Sequence, residues 1–416
     1  IAFQKFIQDV NPDIIIGYNS DSFDNPYLIQ RIYNYGMPLL NFSKLKNHEV
    51  KTKFKWRREE GNDGLMRKYV HRERMDRAKE FFLIAGRMHL DVMLYIMKNY
   101  TRFRSYSLDN MAKHFLKDKK DDVSFRDMCD AFLGYGKSPE LNELYYKVVR
   151  YGIQDSLLTI KLFEKLQMFM GMSMQAHVNS INIDMLLTEG SSVAVKSMIY
   201  RKCKEERIVF QPHAAEKKSR YQGAFVLDPK SGVYERVYTL DLDSLYPNII
   251  RSYNICFTTI IRDTFKIPVK DRNKVYRIPV GRNVYEFMSD RQGILPKLCE
   301  YLIEKRTEVR KRKTDSEIIA RVNDALQLAL KISANSIYGF LGIADDPFGF
   351  IEGASSVTAM GRRIIRQIKG RIEDKFHHEV IYGDTDSVMC STGASTEKEA
   401  YLRALEVRDD LNHWLK

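Results

Sequence analysis

Acidic side chains stand at the ends of two apolar segments that are far apart in the chain. The first, VYTLDLDSLYP (237–247), is typical of a strand that ends at Asp241 and leads into a helix begun by a proline. The second, EVIYGDTDSVM (379–389), is typical of a hairpin with Asp384 and Asp386 at its tip. Hard oxygen ligands of this kind hold Mg²⁺ for phosphoryl transfer. One Asp-x-Asp is usually a solvated turn, but two acidic strand ends predict a metal site.

A set of basic residues has the spacing needed to bind a triphosphate. Arg306 and Arg310 are four residues apart on one predicted helix. Lys331 and Asn335 have the same spacing on the next helix, and Tyr338 falls on their face. If the two helices form an antiparallel pair, three cations converge on one groove, where Arg gives bidentate phosphate contacts and Lys a point charge. Basic pairs of this spacing usually line a solvated helix face, so spacing alone does not decide.

The first half of the chain carries a second group of candidate residues. A short apolar strand, predicted to be buried, ends at Asn19, and Phe23 and Asp24 follow it. Further on, Tyr151 is predicted to open a long helix that carries Asp155. Each pattern alone is an ordinary strand end or helix start.

Composition limits the partners. The net charge of +13 and the pI near 9.2 indicate a polyanion or an anionic surface as partner, unless the protein is simply basic. The five cysteines form no CxxC pair, which fits a reducing compartment and a protein that is not secreted. No apolar run has the length of a transmembrane helix, so we expect no membrane partner.

The elements that must position these residues form five predicted regions. The first is α/β, the second a helix with a basic connector, the third β-rich, the fourth helical and the last again β-rich. Their limits are 1–185, 186–222, 223–292, 293–340 and 341–416. Within the first region, residues 45–80 are strongly basic and predict a surface insertion or hairpin, either a DNA contact or a solvated face.

The second helix of the cation pair has a start signal. Residues 314–316 (Thr-Asp-Ser) offer an N-cap. Ile318, Val322, Leu326 and Leu330 then repeat every four residues, which predicts one buried stripe.

Several of these stretches resemble one family. DLDSLYPNII (241–250) and YGDTDS (382–387) are similar to motifs A and C of family B DNA polymerases. KISANSIYG (331–339) resembles motif B, and GILPKLCEYLIEKRTEVRKR (293–312) resembles the first fingers helix. The resemblance implies a multidomain α/β and α+β fold. An RNase H-like 3′–5′ exonuclease domain comes first, and a palm sheet with a helical fingers insertion follows.

The resemblance also implies roles for the polymerase residues. Asp241 and Asp386 would bind two Mg²⁺ ions with the carbonyl of Leu242, and Asp384 would lie beside them. Tyr246 would stack under the incoming deoxyribose and exclude a 2′-hydroxyl. The remaining nucleotide-binding residues implied in this way are Ser244, Leu245, Arg306, Arg310, Lys331, Asn335 and Tyr338.

Residues implied to contact DNA lie in both halves. YQGA (221–224) resembles the loop that joins exonuclease to polymerase in this family, so Tyr221 and Gly223 would touch the template, as Gly339 would touch the nascent pair. In the exonuclease, Asp24 and Asp155 would bind metal and Tyr151 would orient the attacking water. Asn19 and Phe23 would hold the single-stranded 3′ end.

One departure from the family limits the exonuclease expectation. No Asp-x-Glu motif precedes Asn19, and few residues follow Ser387, where the family has a lysine-bearing palm motif and a thumb. We therefore expect the chain to cover only the middle of the family. We also expect it to have weak or no exonuclease activity as given.

The resulting function prediction is DNA-templated DNA synthesis from dNTPs on primer-template DNA. A sliding clamp or processivity factor is a further implied partner. Wording such as "VIYGDTDSVM" favours the eukaryotic delta-type and large DNA virus branch, and with it the nucleus or a viral replication site in a host cell. The main alternative is a truncated, non-catalytic nucleic-acid-binding fragment. An RNA polymerase or reverse transcriptase, and a structural protein with a decayed site, are further alternatives.

Overall fold

The structure, a computed structural model, forms two compact units. One comprises Ile1–Ser173 with Asn182–Glu189, and the other Met174–Ile181 with Gly190–Lys416. The residues that the structure describes are 2–36, 43–45, 51–55, 79–100, 103–119, 123–209, 221–262, 275–343, 346 and 348–415. No helix within these ranges is both long and apolar enough to cross a membrane.

The first unit is built on a parallel pair of strands, β1 (Ile14–Gly17) and β4 (Met88–Asp91), with Ile14 opposite Met88. Strand β1 was predicted to be buried, but its residues are only partly buried. Asp91 ends β4 and caps the next helix, because its side chain accepts the N–H groups of Met93 and Leu94. The helices of this unit are α1 (Ala2–Val10), α2 (Asp24–Asn34), α3 (Val92–Asn99), α4 (Leu108–Met111), a π-helical turn (Ala112–Leu116), α5 (Phe125–Gly134), α6 (Pro139–Lys165) and α8 (Ile183–Thr188).

Helix α6 corrects one prediction. It was expected to open at Tyr151 but begins at Pro139 and passes through Tyr151. Ser138 is the N-cap and accepts the N–H of Leu141, while the proline at the first helical position has no N–H to leave unpaired. Leu158 and Leu162 of α6 are buried in the unit's core.

The basic stretch 45–80 contains a hairpin-like pairing. Strand β2 (Lys51–Lys55) pairs antiparallel with β3 (Lys79–Leu83), with Thr52 opposite Phe82. Residues 56–78, which hold most of the remaining basic side chains of that stretch, lie outside the described residues.

The second unit contains a three-stranded antiparallel sheet in the order β5-β10-β9. Its strands are β5 (Val237–Asp241), β9 (Glu379–Asp384) and β10 (Ser387–Ser391), so the central strand is the last in sequence. One core packs this sheet against two helices, α13 (Ile351–Phe376) and α14 (Glu397–Trp414). Ile368, Val388 and Val407 lie in that core.

Further elements of the second unit surround a larger core. They are α7 (Met168–Asn179), which begins in the first unit, α9 (Ser191–Glu205), α10 (Leu245–Ser252), β6 (Ile260–Ile261), β7 (Val275–Val280), β8 (Asn283–Met288), α11 (Ile294–Lys311) and α12 (Glu317–Leu341). The proline predicted to begin the helix after β5 is Pro247, which is the third residue of α10. Strands β6, β8 and β7 form a second antiparallel sheet.

The predicted start of α12 is confirmed, since Ser316 is its N-cap and accepts the N–H of Ile319. The predicted stripe is only partly right. Leu330 is buried, but Ile318 is 71% exposed, and Val322 and Leu326 are partly buried. The first turns of α12 therefore present apolar side chains to solvent, and burial begins further along the helix.

Candidate active sites

Three aspartates emerge at one end of the β5-β10-β9 sheet. Asp241 ends β5 and lies opposite Ser387, the first residue of the central strand. Asp384 ends β9 and lies opposite the same residue. Asp386 immediately precedes Ser387 in the turn, and its carbonyl accepts the N–H of Leu242 at 2.9 Å. Pairing on both sides of β10 therefore gathers carboxylates from two distant segments.

The turn that carries Asp386 has a tight geometry. Thr385 adopts a left-handed conformation (φ 56°), and the N–H of Asp386 reaches the carbonyl of Asp384 at 2.6 Å. Thr385 also donates its hydroxyl to the Asp384 carboxylate at 2.8 Å and its N–H to the carbonyl of Phe225 at 3.1 Å. The segment that contains Phe225 runs along the free edge of β9, where Leu227 donates to the carbonyl of Gly383 at 2.8 Å.

The charges at this end of the sheet favour a cation. Burial raises the pKa of Asp386, and the carboxylates of Asp241 and Asp384 raise it further, while Lys331 opposes them. Among the described residues, no group of three or more His, Cys, Asp or Glu side chains is already arranged to hold a metal ion. The carboxylates of Asp241 and Asp386, with the backbone carbonyl of Leu242, are nevertheless a ligand set of the kind that suits Mg²⁺. This ion is usually bound by one or two carboxylates together with substrate phosphates.

Tyr246 lies directly beyond this site on α10. Its ring packs against that of Tyr338 on α12, with centroids 4.3 Å apart. Burial raises the pKa of Tyr246, and the negative charge of Asp386 raises it further. Ser244, just before α10, is left-handed (φ 54°), and the side chain of Leu245 is buried. Any nucleotide contact by Leu245 would therefore use its backbone.

The loop at Tyr221 and Gly223 is fixed by α13. Arg362 donates to the carbonyls of Gln222 and Gly223 at 2.7 and 2.6 Å, and Thr358 donates to that of Gln222 at 2.9 Å. Neither Thr358 nor Arg362 was predicted from the sequence. The available signal was an arginine within a segment of small and apolar residues (GASSVTAMGRR), which is buried in the structure.

The cations predicted to bind a triphosphate are only partly brought together. Arg306 and Arg310 of α11 line a cavity of about 640 Å³ with Gln327 of α12. Lys331 lies one turn beyond Gln327, and its positive charge lowers the pKa of Asp386. Asn335 and Gly339 follow Lys331 along one exposed face of α12. The structure thus separates Lys331 from the cavity that the two arginines line.

Two of the five candidate exonuclease residues meet at a cavity of about 650 Å³ in the first unit. Asp24, at the start of α2, and Asp155, on α6, both line it. Burial raises the pKa of Asp24, and the charge of His89 lowers it. Tyr151 lies one helical turn before Asp155 on α6.

The turn after β1 carries the other two candidates. Asn19 is left-handed (φ 61°), and Phe23 is 69% exposed. An exposed aromatic side chain near a cavity suits stacking on an unpaired base.

A buried network behind this cavity was missed from the sequence. The Asp91 carboxylate accepts the N–H groups of Asn19 and Asp21 at 2.9 and 3.1 Å. Burial and the charge of Asp21 raise the pKa of Asp91 to about 6. His89 contacts Asp21 at 3.2 Å and lines the cavity. These residues fix the turn after β1, and no pattern in the sequence links that turn to β4.

Comparisons with known proteins relate both units to the same protein family. A family model described as DNA polymerase family B matches residues 181–415, and one described as DNA polymerase family B, exonuclease domain, matches residues 1–111. The DNA polymerase delta catalytic subunit of Glycine max is 34% identical over 96% of this chain and 36% of its own length. That of Arabidopsis thaliana is 34% identical over 99% of this chain and 37% of its own length.

A solved structure is also similar. The family B DNA polymerase from the hyperthermophilic archaeon Pyrobaculum calidifontis has a TM-score of 0.71 and 26% identity, covering 96% of this chain and 48% of that one. The predicted fold class, an exonuclease domain followed by a polymerase domain, is confirmed. The chain spans slightly more than a third of the length of the delta-type relatives it matches.

Proposed function

The chain belongs to DNA polymerase family B, and we propose on that basis that it carries out DNA-templated DNA synthesis, joining a dNTP to a primer 3′-hydroxyl. The observation that carries the proposal is the group of Asp241, Asp384 and Asp386 at one end of a single sheet. Since the relatives named as polymerase delta catalytic subunits are longer than this chain, the activity of the whole protein is part of the proposal.

We propose two Mg²⁺ ions as the cofactor, held by Asp241, Asp386 and the carbonyl of Leu242. When bound, such ions activate the attacking hydroxyl and neutralise charge on the leaving pyrophosphate. The protein's contribution is rigid placement of the ligands, and the hydrogen bond between Leu242 and Asp386 supports this role. The raised pKa of Asp386 supports it too, because mutual repulsion of the carboxylates is relieved by a cation.

The nucleotide would lie against α10 and α12. Tyr246 would limit the space at the 2′ position of the sugar, with Tyr338 behind it. Arg306, Arg310, Lys331 and Asn335 would contact the triphosphate. Backbone N–H groups near Ser244 and Leu245, at the N-terminus of α10, would donate hydrogen bonds to the triphosphate oxygens.

We propose excision of a mismatched 3′ end as a second function, carried out by the full-length protein. The cavity that Asp24 and Asp155 line supports it, as does the exonuclease family match. Tyr151 would orient water, and Asn19 and Phe23 would hold the strand end.

Partners and location follow from the same proposal. Tyr221, Gly223 and Gly339 would contact primer-template DNA, and a sliding clamp would be a further partner. We propose the nucleus or a viral replication site as the location. The five regions predicted from sequence remain our proposal for the domain limits.

Primer extension with Mg²⁺ tests the polymerase proposal. Asp241→Ala and Asp386→Ala should each lower extension by roughly 10³-fold or more, the scale on which losing a group that stabilises transition-state charge slows phosphoryl transfer. Primer-template affinity should change little. Asp228→Ala, which removes an exposed aspartate of the same unit, is the control and should extend normally. Near-normal extension by the Asp386 variant contradicts the metal assignment. A wild-type chain that binds DNA without extending it supports the non-catalytic alternative.

A further inference from the structure

An ion pair connects the strand end at the catalytic aspartates with the first fingers helix. Arg306 of α11 contacts the Asp243 carboxylate, Nη1 to Oδ1, at 3.2 Å. Resting on the proposed function, we propose that Asp243 occupies Arg306 in the absence of nucleotide, and that the incoming triphosphate must displace this carboxylate to bind. Asp243 is then a positioning residue that sets the affinity for dNTPs.

Asp243 is held in place independently of the arginine. Its carboxylate also accepts the hydroxyl of Ser244 at 3.1 Å, and its backbone carbonyl accepts the side-chain amide of Asn248 at 2.9 Å. Both partners lie at or next to α10, so the segment that carries Asp243 is anchored to that helix and not only to Arg306. The side chain of Asp243 is 72% exposed, so a solute can reach it.

Arg306 is satisfied only in part by this contact. Its side chain is 14% exposed, and its Nε is buried with no hydrogen-bond partner among the described residues. A guanidinium has five N–H donors in a fixed plane, and phosphate oxygens can accept two of them in parallel. A buried donor without a partner costs free energy, and the single contact to Asp243 leaves that cost in place. A triphosphate offers more oxygens than one carboxylate and is the better partner.

Because of its position, Asp243 should affect nucleotide binding when the triphosphate replaces its carboxylate at Arg306. It lies two residues after Asp241, so it adds negative charge beside the site where a triphosphate would bind. Its pairing with Arg306 neutralises that charge but uses the cation that the nucleotide needs. Removing the Asp243 charge should therefore strengthen nucleotide binding, whereas removing a ligand of the triphosphate would weaken it.

The test measures two values for the full chain with primer-template. One is the dissociation constant of a labelled dATP, obtained by fluorescence anisotropy, and the other is the KM for dATP in extension. Asp243→Asn should lower both values by about two- to fivefold, the range for an ion pair of partial exposure. The change should appear in KM much more than in kcat. Glu308→Gln is the matched control. It removes one acidic charge from an exposed ion pair with Lys305 on the same helix and should leave both values unchanged.

A second variant, Arg306→Gln, distinguishes two explanations for the effect of Asp243. Either the carboxylate competes with the triphosphate for Arg306, or its negative charge simply repels the triphosphate. In Arg306→Gln, the further change Asp243→Asn should have little effect, because the cation for which the carboxylate competes is gone. An equal gain in both backgrounds overturns the inference in favour of repulsion, and weaker binding by Asp243→Asn alone overturns it in favour of pre-positioning. The gain in dATP affinity from Asp243→Asn should also become smaller as the salt concentration rises from about 50 mM to about 500 mM, and a salt-independent gain counts against an ion pair.

If no variant binds dATP, the proposed nucleotide site itself is wrong. If Arg306→Gln binds as wild type does, only the role of that arginine is wrong.

Discussion

Tyr246 can select sugars only if its ring keeps one position, and its neighbours hold it there. Tyr338 packs on one side, at 4.3 Å between ring centroids. Gly361 of α13 lies on another, where an added Cβ would come within 3.1 Å of the ring. The pKa of Tyr338 is raised by burial and by its hydrogen bond with Tyr221, so the pair is linked to the loop that α13 fixes. Because neighbouring residues confine the Tyr246 ring, it keeps one position and can exclude a 2′-hydroxyl sterically.

Shortening this side chain should weaken sugar discrimination. We expect Tyr246→Ala to raise ribonucleotide incorporation relative to deoxyribonucleotide by about 10- to 100-fold, since relief of one steric clash is worth a few kcal/mol. The measurement is the ratio of kcat/KM for dATP and ATP. Tyr246→Phe keeps the ring and should keep the ratio. An unchanged ratio in the alanine variant would show that the ring does not limit space at the 2′ position.

Asp91 should make stability depend on pH in an unusual direction. Its folded-state pKa is raised from 3.8 to about 6, so the folded chain binds this proton more tightly than the unfolded chain. Ionisation of Asp91 therefore costs stability as the pH rises from about 4 to about 6. Relative to Asp91→Asn, whose side chain does not ionise, the wild type should lose on the order of 2–3 kcal/mol across that window. Urea unfolding at several pH values measures this, and a constant or rising difference contradicts it.

At the scale of elements, the hairpin of β9 and β10 depends on a glycine. A Cβ at Gly383 would lie 2.9 Å from Leu227 Cδ1 and 3.0 Å from the backbone oxygen of Ser387. The leucine can move aside, but the backbone oxygen belongs to the central strand. An alanine therefore pushes β9 away from β10, just before the turn that carries Asp386.

Gly383→Ala should accordingly reduce both stability and extension. We expect a loss of about 1–3 kcal/mol, as for other overpacked sites, and a fall in kcat as the aspartates separate. Gly370→Ala on α13 is the control. Its new Cβ meets only the Asp374 carboxylate at 3.8 Å, and alanine favours a helix, so stability should hold or rise. Equal thermal unfolding of the two variants contradicts the packing argument.

The elements that the sequence predicts well are those with local signals. The hairpin of β9 and β10 is one, because its apolar runs and its turn lie within a dozen residues. The start of α6 has a local signal too, Ser138 followed by Pro139, but the polar, aromatic segment after it concealed the helix. The contacts of Asp91 and Arg362 could not be predicted, because they join segments that are far apart in sequence. Asp91 contacts a residue about 70 positions away, and Arg362 contacts one about 140 positions away. Single motifs do not encode such pairings.

The whole molecule carries a charge that should govern DNA affinity. With a net charge of +13, the protein should bind primer-template DNA largely by releasing counterions from phosphates. For about four phosphate contacts, the dissociation constant should rise roughly a hundredfold between about 50 and about 200 mM KCl. Fluorescence anisotropy of a labelled duplex measures this slope. The slope should be the same for unrelated sequences, and a flat salt dependence would argue against phosphate contacts as the main source of affinity.

The strand order β5-β10-β9 also has a consequence for biosynthesis. Strand β5 leaves the ribosome long before its partner β10, which follows about 150 positions later. At typical elongation rates, on the order of ten seconds separate the two. During that interval the nascent chain has Asp241 but lacks the strand that aligns it. The end of the sheet that gathers the aspartates therefore cannot form until α10, α11, α12 and α13, which lie between the two strands in sequence, have been synthesised.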